Sequence, residues 1–270
     1  MTWAGEPPPM RLRLTPLTVL RVVRRAIPVA ALVFGGLAVL LALRPVEAAL
    51  HGAHRPWTPR ITLGVCRGAL RLIGLRRIAV GEPLRGRGAL VANHVSWLDI
   101  FVLNAGGCVV FVSKAEVARW PGIGWLARAT GTVFVTRDRN AAYRDVALVR
   151  DRLALGQTLV FFPEGTSTDG LRVLPFKPTL FAPLIALEMP VQPVTLSYHA
   201  PVGDDPRAYG WWGDMDFGPH LLSTLAHPRQ GRVTVIYHAV CHLTSGTDRK
   251  TLALDLTRQV RTALQPPDLS

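Results

Sequence analysis

Acidic residues are scarce in this chain. Eighteen aspartates and glutamates face 31 lysines and arginines, a formal net charge of +13, in 270 residues that are 49% apolar and only 18% charged. That is greasy and poor in charge for a soluble protein. A strongly basic, apolar protein meets an anionic membrane surface or an anionic substrate. Nucleic acid fits poorly, because the arginines are scattered and no nucleic-acid motif occurs. Lysine is scarcer still: Lys114, Lys177 and Lys250 are the only three. Three cysteines, Cys66, Cys108 and Cys241, stand far apart without a CxxC pair. This excludes a disulfide framework and a cysteine zinc site, and fits reduced thiols in the cytosol. There is no internal repeat and no low-complexity tract.

What is present begins at the N-terminus. Arg11, Arg13, Arg21, Arg24 and Arg25 alternate with leucines and valines, and Ala26 to Leu43 then runs without a charge until Arg44-Pro45. The stretch preceding the apolar run is too long for a signal peptide. A single span is one reading, since about 20 apolar residues cross a bilayer. An interfacial or re-entrant element is the other, with Pro28 and Gly35-Gly36 as weak points. Positive charge flanks both ends, so the positive-inside rule gives no orientation. The favoured reading is a membrane-attached helical region over residues 1–57, on the cytoplasmic side of the inner membrane, with a single span as the alternative. Residues 58–270 then form the main domain, opening with an amphipathic helix over Ile61 to Val80 that runs into a strand.

From about residue 77, short apolar runs alternate with helical stretches. Strands are expected at 77–80, 89–92, 108–112, 132–135, 158–162, 191–198 and 232–240. Helices are expected near 97–105, 122–129, 140–155, 178–189, 219–226 and 248–264. The alternation predicts an α/β domain with a largely parallel sheet flanked by helices. In such sheets ligands bind beyond the carboxyl ends of the strands.

Two segments follow strands directly. The first is Asn93-His94-Val95-Ser96-Trp97-Leu98-Asp99, a histidine with a carboxylate five residues on. Eight histidines and twelve aspartates in 270 residues give roughly 0.4 such pairs by chance. A second pair, His199 and Asp204, lies in a Pro/Gly-rich loop. Two readings of the first stay open. Ser96 and Asp99 have capping-box spacing and can simply start a helix. Alternatively His94 is a general base oriented by Asp99, which requires His94 to lie in the turn before the helix and fold back. Ser96 lacks a nucleophile elbow, so a serine hydrolase is a weak alternative and the substrate's own hydroxyl is the simpler nucleophile.

The second segment is Phe162-Pro163-Glu164-Gly165-Thr166-Ser167. Its glycine lets backbone N–H groups approach a ligand, and Glu164 can accept hydrogen bonds from a polyol; a plain connecting turn is the other reading. Arg137 follows the strand at 132–135, where an arginine can clamp an anion. Lys114 and Lys177 lie near the same strand ends; each alone is more often a surface residue.

Taken together and in order, these segments resemble the 1-acylglycerol-3-phosphate acyltransferases of the glycerolipid acyltransferase family. His94 to Asp99 matches the family's HxxxxD motif, Thr132 to Arg137 its second block and Phe162 to Ser167 its third. Pro190-Val191-Gln192-Pro193-Val194 resembles the fourth, and Lys114 with Pro121-Gly122-Ile123-Gly124 a recurring stretch between the first two. The similarity covers roughly residues 75 to 245. It implies an acyltransferase in which His94 and Asp99 deprotonate an acceptor hydroxyl that attacks acyl-CoA or acyl-carrier protein, with no metal and no bound cofactor. Arg137, Glu164 and Gly165 would bind the acceptor, with Lys114, Thr166 and Asn93 as further candidates. Lysophosphatidate is the default acceptor by breadth of the family. One branch acylates lyso-ornithine lipid instead, and the stretch Tyr209 to Asp216 is a candidate surface for its cationic head group. A non-enzymatic membrane-binding protein is the remaining alternative.

Overall fold

A computed structural model describes residues 3–6, 15–120, 122–135 and 142–264. Its core is a seven-stranded sheet: β1 (Arg76–Val80), β2 (Gly88–Ala92), β3 (Val109–Lys114), β4 (Val133–Val135), β5 (Thr158–Phe161), β6 (Val191–His199) and β7 (Arg232–Tyr237), in the order β1-β7-β6-β2-β5-β3-β4. Every pairing is parallel except β6 with β7. Strands β6, β2, β5, β3 and β4 therefore share one direction, as the alternating pattern predicts. Strand β7 is expected to reach Val240 but ends at Tyr237. Beyond the pair Val194–Tyr237 the ladder meets Pro193, which has a carbonyl for His238 but no N–H to return.

The central strand β2 is buried along its whole length. Alternate side chains point to opposite faces of a strand. Leu90 and Ala92 enter an apolar layer with α2 (Thr58–Ile73), α3 (Leu98–Asn104) and α7 (Phe217–Ala226). Ala89 and Val91 enter the opposite layer, with α5 (Ala142–Ala154), α6 (Ala182–Ala186) and α8 (Arg249–Thr262). The short α4 (Ile123–Thr130) leads into β4. The sheet is thus sandwiched between helices, with both faces dry.

The N-terminal region corrects the sequence reading. Residues Pro16–His51 form one helix, α1, which starts at a Thr15–Thr18 capping box and runs through Pro28, Gly35-Gly36 and Pro45 without a break. Gly36 is a contact, not a weak point: a Cβ there would clash with the Val65 side chain of α2. The helix continues past Pro45 because Glu47, fully buried, ties its last turns to the start of α2. Its carboxylate accepts the backbone N–H of Trp57 (2.7 Å) and Thr58 (3.0 Å), the Thr58 hydroxyl (2.7 Å) and Arg44 (3.1 Å). The expected boundary at residues 57/58 falls at this network. Arg25, also buried, donates to the carbonyls of Leu225 (2.7 Å) and His227 (2.6 Å) at the end of α7. A cation there satisfies carbonyls that a helix end leaves without partners. By length and composition α1 can cross a membrane, yet it packs lengthwise on α2 and α7 and presents Leu20, Ile27, Phe34, Leu41 and Leu50 outward.

Candidate active site

The carboxyl edge of the five co-directional strands carries the candidate residues. Val91 pairs with Phe161, so the chain beyond β2 and the chain beyond β5 leave the sheet side by side. His94 and Glu164 emerge at the same level, and Lys114 ends β3 one strand further on.

His94 sits in the turn before α3, where the base reading requires it. Its Nδ1 lies 2.7 Å from Oδ2 of Asp99, and its ring stacks on Phe162 with centroids 4.1 Å apart. Asp99 is fully buried and receives three further donors: the N–H groups of Val95 (2.8 Å) and Ser96 (3.1 Å) on Oδ2, and the Tyr198 hydroxyl (2.7 Å) on Oδ1. A carboxyl group so surrounded by donors is an acceptor, so Nδ1 of His94 carries the proton and Nε2 is left as the basic nitrogen. The imidazole is partly exposed, 21% of its side-chain area, which gives Nε2 access to a substrate. Burial and the adjacent Asp99 charge push the Tyr198 hydroxyl well above its ordinary range, so it stays protonated and donating.

Half of the expected capping box forms. Asp99 accepts the Ser96 N–H, but Ser96 Oγ accepts from Leu98 N–H (3.2 Å) rather than from Asp99. Ser96 is completely buried, which removes it as a hydrolase nucleophile. The second HxxxxD pair does not form: Asp204 pairs with Nδ1 of His227 at 3.0 Å.

Glu164 and Asn93, expected among the acceptor ligands, are found bonded to backbone. The two oxygens of Glu164 accept the backbone N–H of His94 (2.7 Å) and of Leu174 (2.8 Å), and its side chain is buried. Burial pushes its carboxyl up to about 8, against the pull of these two bonds. Glu164 is therefore a brace behind the base. Asn93, fully buried, donates to the Leu196 carbonyl (2.9 Å) and accepts its N–H (2.8 Å), locking the end of β2 to β6. In the structure both side chains bond backbone groups.

Gly165 adopts φ +72°, a left-handed conformation suited to glycine, and closes a turn onto Phe162 O at 3.0 Å. Thr166 Oγ1 accepts from Trp3 N–H at 3.5 Å. Lys114 is exposed at the end of β3, in register with Val135. Arg137 lies outside the described residues. The loops close over the base by backbone bonds: Thr168 N–H to His94 O (2.9 Å) and Trp211 N–H to Val95 O (2.9 Å), with the Ser167 hydroxyl donating to Trp211 O. In the stretch expected to meet a head group, Tyr209 and Trp212 are buried while Asp214 and Asp216 are exposed. Tyr198 is the residue that sequence reasoning missed at the site. Tyr198 lies in an unbroken buried strand and has no local signal.

A family model described as Acyltransferase matches residues 75–197. A lyso-ornithine lipid O-acyltransferase of Rhodobacter capsulatus is 50% identical, covering 97% of this chain and 96% of that protein. A 1-acyl-sn-glycerol-3-phosphate acyltransferase of Neisseria gonorrhoeae is 36% identical over 53% of this chain and 58% of its own length. The crystal structure of the 1-acyl-sn-glycerophosphate acyltransferase of Thermotoga maritima shares the fold, with a TM-score of 0.64 at 18% identity, covering 92% of this chain and 97% of that one.

Proposed function

The chain belongs to the acyltransferase family, and on that premise we propose that it moves a fatty acyl group from acyl-CoA or acyl-carrier protein to the hydroxyl of lyso-ornithine lipid. The chemistry rests on one observation, the 2.7 Å contact between His94 Nδ1 and a fully buried Asp99. Nε2 of His94 takes the proton of the acceptor hydroxyl as its oxygen attacks the thioester carbonyl. The tetrahedral intermediate then collapses, the C–S bond breaks, and the departing thiolate takes the proton back from the imidazolium. Asp99 holds the tautomer and balances the imidazolium charge in the transition state. No acyl-enzyme forms and none is needed.

Identity over nearly the full length supports lyso-ornithine lipid ahead of lysophosphatidate, which breadth of the family alone puts first. Lysophosphatidate is the second reading, supported by the Neisseria relative over about half the chain. In either case Arg137, Lys114 and the Gly165–Thr166 turn are the acceptor contacts: the guanidinium would hold a carboxylate or a phosphate. The enzyme works on the cytoplasmic face of the inner membrane, with the outward leucines, Ile27 and Phe34 of α1 in the interface. A lengthwise-packed, partly charged helix suits lying in a membrane surface better than spanning it.

The test offers the purified full chain labelled acyl-CoA or acyl-carrier protein with both lysolipids side by side. Labelling of lyso-ornithine lipid is expected; labelling of lysophosphatidate alone selects the second reading, and labelling of neither refutes both. His94→Ala is expected to lose 10²–10⁴-fold in rate while still binding vesicles. Retained transfer would remove His94 as the base, and lost vesicle binding would mean the substitution disturbs more than the chemistry.

A further inference from the structure

A cavity lies at the opposite edge of the sheet from His94. It opens between the α1–α2 turn and the chain entering β2, β3 and β5, and encloses about 800 Å³. That volume suits a small molecule or a lipid head group. Arg55, Arg60, Arg67, Arg85 and Arg152 line it, with His51 at the mouth, and no aspartate or glutamate is among the lining residues. The nearest acids are already engaged or outside. Glu47 is saturated by Arg44, Trp57 and Thr58, and Glu82 sits 3.9 Å from Arg85 with both side chains more than four-fifths exposed.

Two buried polar atoms in the lining have no hydrogen-bond partner among the described residues. They are Nε of Arg55, a donor, and Oε1 of Gln157, an acceptor. Buried polar atoms are normally paired, so each is an opening for a ligand atom. Burial, then Arg44 and Arg152, pulls the Arg55 guanidinium below its ordinary range; burial, then Arg44, does the same to Arg152. The positive charges thus feel one another, offset only in part by Glu47 at Arg55 and by Asp151 at Arg152.

Cationic side chains crowded into a concave site ask for an anion with several acceptor oxygens, and a guanidinium fork matches phosphate. The mouth says what carries that phosphate. His51 ends α1, whose last turns present Val46 (50% exposed) and Leu50 (65%) outward on one face. An apolar helix face leading into a basic pocket is the surface that a lipid with an anionic head group covers. We propose that this cavity binds the phosphate head group of an anionic membrane phospholipid, with its acyl chains along the C-terminal turns of α1. A hydroxylated head group such as phosphoglycerol adds a donor for Gln157. The phosphates of the acyl donor fit the same charges less well, because the thioester must reach His94 beyond the far end of β2. The five residues of that strand alone span roughly 17 Å.

Native mass spectrometry of the detergent-purified full chain, given phosphatidylglycerol or phosphatidylcholine, counts the retained lipid. One retained phosphatidylglycerol and no preference for phosphatidylcholine are expected. Arg55→Gln/Arg152→Gln should lower retention about tenfold or more. The exposed pair Arg60→Gln/Arg85→Gln, which leaves the fold alone, should lower it in the same direction. A charge-matched control away from the cavity, Arg229→Gln/Arg258→Gln, should leave it unchanged. Equal loss in the control would reduce the effect to diffuse electrostatics and overturn the proposal. So would displacement of the lipid by equimolar inorganic phosphate, which would make this an anion site with no lipid preference. A raised KM for acyl-CoA with unchanged lipid retention would assign the pocket to the donor, and capture of acidic carrier protein in place of lipid would make it a protein docking site. Lipid retention itself is read without acyl transfer, so the expected outcome is independent of which lysolipid is the acceptor.

Discussion

Replacing Tyr198 by phenylalanine removes one hydroxyl from the site and nothing else. That hydroxyl donates to Asp99 Oδ1 at 2.7 Å, and both residues are buried. A hydrogen bond to a charged group contributes about 1.5–3 kcal/mol, and the carboxylate oxygen left behind has no water to replace it. In a chain of this size each kcal/mol moves the melting temperature by about 2–4 °C, so a fall of about 3–12 °C is expected by calorimetry. The kinetic ceiling follows from the same energy: lost wholly from the transition state, it is worth about 10- to 150-fold in kcat/KM. The observed loss should lie near the bottom of that range. Oδ2, which faces the imidazole, keeps its bonds to Val95 and Ser96 and stays in place. Two results refute this reasoning. Unchanged melting and rate would mean the hydroxyl does not bond Asp99 in solution; a loss of more than a thousandfold would mean Tyr198 touches the reacting atoms itself.

Three further outcomes follow from the same geometry. Ser96→Ala should cost about 1 kcal/mol, the worth of a helix-start hydroxyl, with kcat within a few-fold of the parent; damage equal to that of His94→Ala would revive a serine nucleophile. Glu164, raised from an ordinary 4.5 to about 8 by burial, holds its proton in the fold where the unfolded chain has lost it. Its contribution to stability is complete below about pH 4.5 and is lost as pH rises through about 8, so Glu164→Gln should flatten the decline in melting temperature across that window. Arg25→Met should lower the urea midpoint by abolishing two charge-assisted bonds to α7, together worth about 3 kcal/mol or more, and should expose α1 to limited proteolysis.

Much of this was legible in the sequence, for identifiable reasons. All seven strands appear where short apolar runs stand, because central strands buried on both faces must be apolar throughout. The His94–Asp99 pair was readable because a turn after a strand can fold a histidine back onto the next helix. The N-terminal helix was given weak points at Pro28 and Gly35-Gly36 that it does not have. Its continuity depends on Val65 and on Glu47 meeting Thr58, which are tertiary contacts with no local signature. Glu164 and Asn93 were expected to meet substrate on the strength of the family resemblance. Their partners are backbone groups of His94, Leu174 and Leu196, and a backbone amide leaves no mark on the sequence that supplies it.

That last feature bears on how the loop around such a base can change. The base is clamped by amides at positions 94, 168, 174 and 211, and every residue except proline brings an amide. The half-buried side chain of Leu174 is then open to substitution while the N–H beneath it stays on Glu164 and keeps the imidazole in position. At that position loop chemistry and base placement become separately adjustable, one written in a side chain and the other in main chain. The loop can change there without disturbing how the histidine is held, provided no proline enters.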